Sequence, residues 1–198
     1  MRHREEHRFD VWTAGAGYER YMGRWSRPVA RDGACDAVVS GLTLNFLTPP
    51  AAAAAEMVRA VRPGGLVAAY VWDYAEGMDL LRLFWDAAAL ADPSAAALDE
   101  RRRFPSCRPE ALRALWTRAG LGEVSVAPIE VPTVFADFTD LWEPFLTGQG
   151  PAPGYLAALP AAGRERVRDA LGEAVPYGPG GSVALTARAW AVRGRRAG

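Results

Sequence analysis

The chain has 198 residues and no lysine: all 23 of its basic residues are arginine. That excludes any mechanism built on a lysine nucleophile or Schiff base, and with the alanine excess it reflects coding bias more than chemistry. Histidine is nearly absent too. His3 and His7 both sit in the polar opening MRHREEHRFD, so a zinc site or a histidine-dependent triad is not expected. The two cysteines, Cys35 and Cys107, lie far apart and in no metal-type spacing. They are expected to be buried free thiols rather than a disulfide. No apolar run approaches membrane-spanning length and the opening has no signal-peptide core, so a soluble, cytoplasmic protein without a membrane partner is expected. There is no charge surplus either: 23 acidic residues balance the basic ones. That argues against a nucleic-acid partner held through its phosphates.

What is present is ordinary globular composition, half apolar and about a quarter charged, long enough for one domain with a sizeable core. There are no internal repeats. GYERYMGRW, residues 17–25, reads as a short helix with Tyr18, Tyr21 and Trp25 on one face. ACDAVVSGL reads as a strand buried on both faces around Val38 and Val39. Pro49 and Pro50 open a helix running through Val61, with Met57, Val58 and Val61 on its buried side and Arg59 and Arg62 suited to its C-terminal end. Pro63-Gly64-Gly65 turns the chain into the apolar strand LVAAYVW, residues 66–72. That is a strand–helix–strand crossover in the proportions of a parallel α/β unit.

Downstream, residues 79–91 read as a helix followed by a polar run through Arg101, Arg102 and Arg103. Pro109 starts another helix, with Leu112, Leu115 and Trp116 on one face and Gly120 as its stop. EVSVAPIEVPTV alternates as a strand, and Pro128 points to a bulge or an edge. LWEPFL and the stretch from Tyr155 to Val175 read as peripheral helix, and residues 182–192 close the pattern as a strand. The fold class expected is α/β, with a sheet mixed at one edge.

In this order the motifs resemble class I S-adenosylmethionine-dependent methyltransferases, of the broad group that includes quinone-biosynthesis methyltransferases. The matching pieces are YERYMGRWS, DAVVSGLTLNFL as that family's fourth strand and loop, and EMVRAVRPGGLVAAYVWDY as the following helix and fifth strand. RRFPSCRPEALRALWTRAGL and the last two strands, ending in TARAWAVRG, continue it, so the resemblance covers Gly17 to Gly194. It implies a Rossmann-like sheet, S-adenosylmethionine as cofactor and a small-molecule methyl acceptor.

The departure from the family is as informative as the match. The resemblance calls for a glycine-rich loop after a first strand, a ribose-binding carboxylate after a second and an adenine-binding Asp after a third. Here Ala30 is followed directly by Arg31-Asp32-Gly33, which resembles the loop just before strand four. Three strands and two helices are missing from the pattern, roughly 60 residues at about thirty per βαβ pass. Gly15-Ala16-Gly17, Gly148-Gln149-Gly150 and Gly178-Pro179-Gly180-Gly181 lack the strand–turn–helix context that would let them stand in for the loop. The expected sheet is therefore a truncated one, strands equivalent to 4-5-7-6 of the family order 3-2-1-4-5-7-6. An N-terminal arm and flap helix occupy residues 1–30, and a partial domain over 31–194 carries helical insertions at about 79–103 and 137–175.

For this remnant the resemblance places Gly41, Leu42 and Asn45 near the methionine end of the cofactor, and Tyr18, Tyr21, Arg24 and Trp25 on a flap over it. The same three aromatics also read simply as a helix's apolar stripe. Trp72, Asp73 and Tyr74 leave the C-terminal end of strand five, where open α/β sheets bind ligands. Asp73 is the candidate for orienting or deprotonating an acceptor, or else a cap or turn residue. Phe84, Trp85, Phe138, Trp142, Phe145 and Tyr155 would line a substrate lid, or pack a core. Two functions remain open: a methyltransferase impaired by its missing loop, and a non-catalytic remnant serving as an interaction module or an unstable deletion product. Loss of strands one to three would also bare the edge of residues 36–41, favouring a homodimer through that strand or poor solubility.

Overall fold

The computed structural model describes residues 31–47, 49–148 and 150–198. The helix expected over 17–25, with Tyr18, Tyr21, Arg24 and Trp25, lies outside them. In chain order the elements are β1 (Cys35–Gly41), α1 (Pro50–Ala60), β2 (Val61–Trp72), α2 (Asp79–Ala91), α3 (Glu100–Arg103), α4 (Pro109–Arg118), β3 (Leu121–Phe135), α5 (Phe138–Trp142), α6 (Pro151–Ala158), α7 (Ala161–Ala174) and β4 (Val183–Arg196). The four strands form one open sheet in the order β1-β2-β4-β3, which is the expected 4-5-7-6. β1 runs parallel to β2 and β4 antiparallel to it, so the sheet is mixed. No helix among the described residues is long and apolar enough to cross a membrane.

The described residues divide into two compact units. In the first, residues 74–103 and 130–188, the aromatics form the core. Phe84 stacks on Phe145 with centroids 4.4 Å apart, and Trp85 packs tilted against Tyr155 at 5.6 Å. Phe84, Trp85, Trp142, Phe145 and Tyr155 are all buried, with Phe138 packed against them. The packing alternative therefore holds for these residues, and a solvent-facing lid of aromatics does not. Each such side chain contributes roughly 1.5–3 kcal/mol by leaving water, more than an exposed lid could offer. Asp79 at the start of α2 accepts the backbone N–H of Thr186 at 2.9 Å, and Arg188 donates its own N–H to Gly77. These bonds fix β4 to the start of α2.

In the second unit, residues 31–73, 104–129 and 189–198 of the described chain, β2 is the centre. Its inward residues Val67, Ala69 and Val71 are buried, as are Leu112, Leu115 and Trp116 of α4. Val67 pairs with Gly194 of β4, and a Cβ on Gly194 would lie 2.9 Å from Leu121 Cβ and 3.2 Å from the Trp116 ring. Glycine is what lets α4 and β3 approach that strand.

Several expectations are corrected here. β1 is not buried on both faces: none of its seven residues is buried, and Val39 is 65 % exposed. It is a sheet edge, and only β2 pairs with it among the described residues. The buried side of α1 is Ala54 and Ala60, whereas Met57 and Val58 are only half-buried and Val61 already begins β2. Arg59 does lie in the last turn of α1, as expected, and Arg62 falls beyond it in β2. Both are held by carboxylates, Arg59 by Asp32 and Glu56 and Arg62 by Asp36 at 2.6 Å. The C-terminal carbonyls of α1 are met from across the sheet by Arg196, whose Nη1 donates to Val61 at 2.7 Å, Val58 at 3.1 Å and Arg59 at 3.2 Å. Pro63-Gly64-Gly65 makes a bulge within β2: between Cys35 and Ala37 the partner jumps from Val61 to Leu66. The stretch 155–175 is two helices, because Leu159 and Pro160 are extended and Pro160 cannot continue a helix. Of the thiols Cys107 is buried and Cys35 only partly so, and both are free.

Candidate functional site

The candidate site lies at the C-terminal ends of β1 and β2, in the unit centred on β2. β1 ends at Gly41, and Leu42 turns the chain with φ +52°, a left-handed conformation that costs a branched side chain on the order of 1–2 kcal/mol. Its N–H is held at 2.8 Å by the Tyr70 carbonyl, and the Thr43 hydroxyl donates to the Gly41 carbonyl at 2.8 Å. These bonds set the single helical turn Leu44–Phe46. Asn45 thereby lines a tight crevice with Leu44, Val71, Cys107, Leu112 and Leu115 among others, with no room in it for a water molecule. Its side-chain Nδ2 is buried without a hydrogen-bond partner. A buried donor left unmet costs about 1–3 kcal/mol.

Asp73 follows the last residue of β2 and is 2 % exposed. It lies close enough to Cys107 for its charge to add to the effect of burial, which pushes the Cys107 thiol up to about 12. At neutral pH that sulfur is a protonated, unreactive group. The structure thus brings Asn45, Cys107 and Asp73 into one neighbourhood. Trp72 is half-buried, and strand alternation sets it on the opposite face from Val71. Tyr74 is buried and belongs to the other unit. Tyr18, Tyr21, Arg24 and Trp25 lie outside the described residues. Cys107 had no sequence signal beyond being an apolar thiol, because only the packing of α4 against β2 carries it to Asn45.

S-adenosylmethionine, the cofactor the resemblance implies, does not fit what these residues provide. Ligand pockets of that class are about 300–1,000 Å³, whereas the crevice beside Asn45 does not admit even a water. The face that Gly41 would offer is closed by Tyr70, whose hydroxyl would lie 2.5 Å from a Cβ placed there. Asn45 supplies one donor for one acceptor. Among the described residues no three His, Cys, Asp or Glu side chains converge to hold a metal. A larger, open groove of about 470 Å³ runs along α4 between Arg113, Arg118 and Val126, and it shares no residue with the Asn45 crevice.

Residues 21–69 match the family described as a methyltransferase domain. The matched stretch runs from residues outside the described ones through β1 and α1 into β2. No curated protein matches the chain. Among solved structures, a putative methyltransferase from Bacillus halodurans is similar at 10% identity, with TM-score 0.48, over 85% of this chain and 67% of that one. The YcgJ protein of Bacillus subtilis is similar at 11% identity, with TM-score 0.48, over 85% and 66%. The phosphoethanolamine N-methyltransferase 2 of Haemonchus contortus, solved with phosphomonomethylethanolamine and S-adenosylhomocysteine, is similar at 12% identity, with TM-score 0.43, over 85% and 34%. The chain spans about two thirds of the length of the first two and about a third of the last. Over residues 21–69, about a quarter of its length, the chain is similar to that methyltransferase-domain family.

Proposed function

We propose that the chain is by descent an S-adenosylmethionine-dependent methyltransferase of a small-molecule acceptor, and that its cofactor binding is impaired because the glycine-rich loop is absent. The observation that carries this is the crevice at the strand ends. It keeps one unmet amide on Asn45 but has no room for a water molecule, and Tyr70 fills the space beside Gly41. The methyltransferase-domain match supports the descent. Methyl transfer relies chiefly on holding donor and acceptor in line, so a partial cradle loses rate steeply. In this reading Asp73 orients the acceptor at the end of β2, and Asn45 is what remains of the cofactor-side wall. A cytoplasmic location goes with the reading. The balance of 23 acidic and 23 basic residues supports a small-molecule partner over nucleic acid.

Titration calorimetry of the full chain with S-adenosylhomocysteine tests the impairment. A dissociation constant of about 1 mM or weaker, near −4 kcal/mol, is expected. A micromolar constant overturns the impairment and leaves a working cofactor site. A second reading, a non-catalytic remnant serving as an interaction module, is favoured by the bare edge of β1.

A further inference from the structure

The two edges of the sheet are built differently. β3 forms one edge and carries the devices that keep an edge from pairing: Pro128 and Pro132 have no N–H to give, Glu130 is exposed, and Glu123 sits at φ +52°. β1 forms the other edge, and its sequence CDAVVSG has no proline and one charged residue. That residue, Asp36, is tied to Arg62.

The hydrogen-bonding direction of β1 follows from one bond. The Leu42 N–H points to β2, where the Tyr70 carbonyl accepts it. Successive residues of a strand point their N–H and C=O groups alternately to either side. Ala37, Val39 and Gly41 therefore direct theirs away from β2, toward the side on which no strand pairs among the described residues. Val39 and Gly41 also share a sheet face with Tyr70, which is opposite Gly41 in the ladder. On that face Val39 is 65 % and Tyr70 38 % exposed.

We propose that β1 pairs antiparallel with β1 of a second copy of this chain, about a two-fold axis at Val39. In that register Val39 faces the partner's Val39 as a hydrogen-bonded pair, and Ala37 faces the partner's Gly41. Each outward group then meets a complementary one. Asp36 falls opposite the partner's Leu42, so no like charges meet across the axis. A two-fold contact requires such self-complementarity, and β1 has it where β3 does not. The small Ala37 and Gly41 leave room for Tyr70 to reach the seam, so Val39 and Tyr70 are covered together. The inference rests on the sheet edge alone and stands or falls apart from the cofactor reading.

Light scattering and amide hydrogen exchange on the full chain test it. The wild type is expected at twice the 21.4 kDa chain mass, with the Val39 and Gly41 amides protected and that protection lost on dilution. Val39→Lys opposes two charges across the axis and should give a folded monomer. Val39→Pro removes only an outward N–H, keeps the β1–β2 ladder and should do the same. A wild-type monomer at every concentration overturns the proposal, including one whose Val39 amide is protected by its own chain. A dimer that survives both substitutions overturns it too, because the interface then lies elsewhere.

Discussion

The indole Nε1–H of Trp116 on α4 donates to the Val67 carbonyl in the middle of β2, 3.2 Å away and fully buried. One side chain thus supplies both apolar packing and a polar tether between a helix and the central strand. Trp116→Phe is expected to cost about 1–2 kcal/mol from the lost bond and the lost volume. Gly194→Ala forces the same seam apart and should cost about 1–3 kcal/mol. Urea unfolding reads both, as a lower midpoint at unchanged slope.

Arg196 ties the last strand to the first helix by donating to three carbonyls at the end of α1. Arg196→Ala should lose about 1–2 kcal/mol, because the carbonyls at this helix-to-strand junction lose the guanidinium donor, Arg59 keeping its Gly33 N–H, and the helix end loses a cation. Arg196→Lys should recover only part of it, since a single ammonium does not reproduce the guanidinium's reach. The comparison by thermal melt separates charge from geometry.

Glu100 is buried and accepts a hydrogen bond from the Trp85 indole, and burial raises its carboxyl from 4.5 to about 6. The folded state therefore binds this proton more tightly than the unfolded one. The stability it brings is fully present below pH 4.5 and is lost as pH rises through about 6, on the order of 2 kcal/mol. Glu100→Gln keeps an acceptor for Trp85 and removes the titration. The variant should be more stable than the wild type at pH 7.5, with the difference shrinking toward pH 4.5. Melting temperatures of both proteins across that range give the answer.

Burial, helped by the nearby Asp73 charge, pushes the Cys107 thiol up to about 12. Iodoacetamide at pH 8 should therefore leave Cys107 unmodified in the folded chain and label it on unfolding. Peptide mapping by mass spectrometry distinguishes it from Cys35.

The crossover from β1 through α1 to β2 was legible because Pro49 and Pro50 open the helix and Pro63-Gly64-Gly65 follows it, whereas the full strand order came from the family resemblance. α2 and α4 likewise follow from apolar spacing and from Pro109 and Gly120. Burial was less legible. Val38 and Val39 have the composition of a core strand, and composition carries no information about whether a neighbouring strand is present. Arg59 and Arg62 sit at the right end of α1 to cap it, yet Asp32, Glu56 and Asp36 hold them, and Arg196 takes the role from the far end of the chain. Such long-range substitutions leave no local trace. At the site, strand-end position led to Asp73 and the family resemblance to Asn45, while Cys107 and the closure of Gly41 by Tyr70 depended on packing and register. The aromatics of the unit built around α2 and α7 matched a lid and a core equally well in sequence, and only their burial decides for the core.

We propose above a folded chain of methyltransferase descent whose cofactor cradle is incomplete. A thermal melt of the purified full chain, with and without excess S-adenosylhomocysteine, tests it most directly. An intact site at about a hundred times its dissociation constant gains roughly 2.7 kcal/mol, worth roughly 5–11 °C for a domain of this size. The account predicts a single cooperative transition that S-adenosylhomocysteine at that level for a micromolar site does not move. A transition that rises by several degrees contradicts it, and the described residues would then belong to a complete cofactor site.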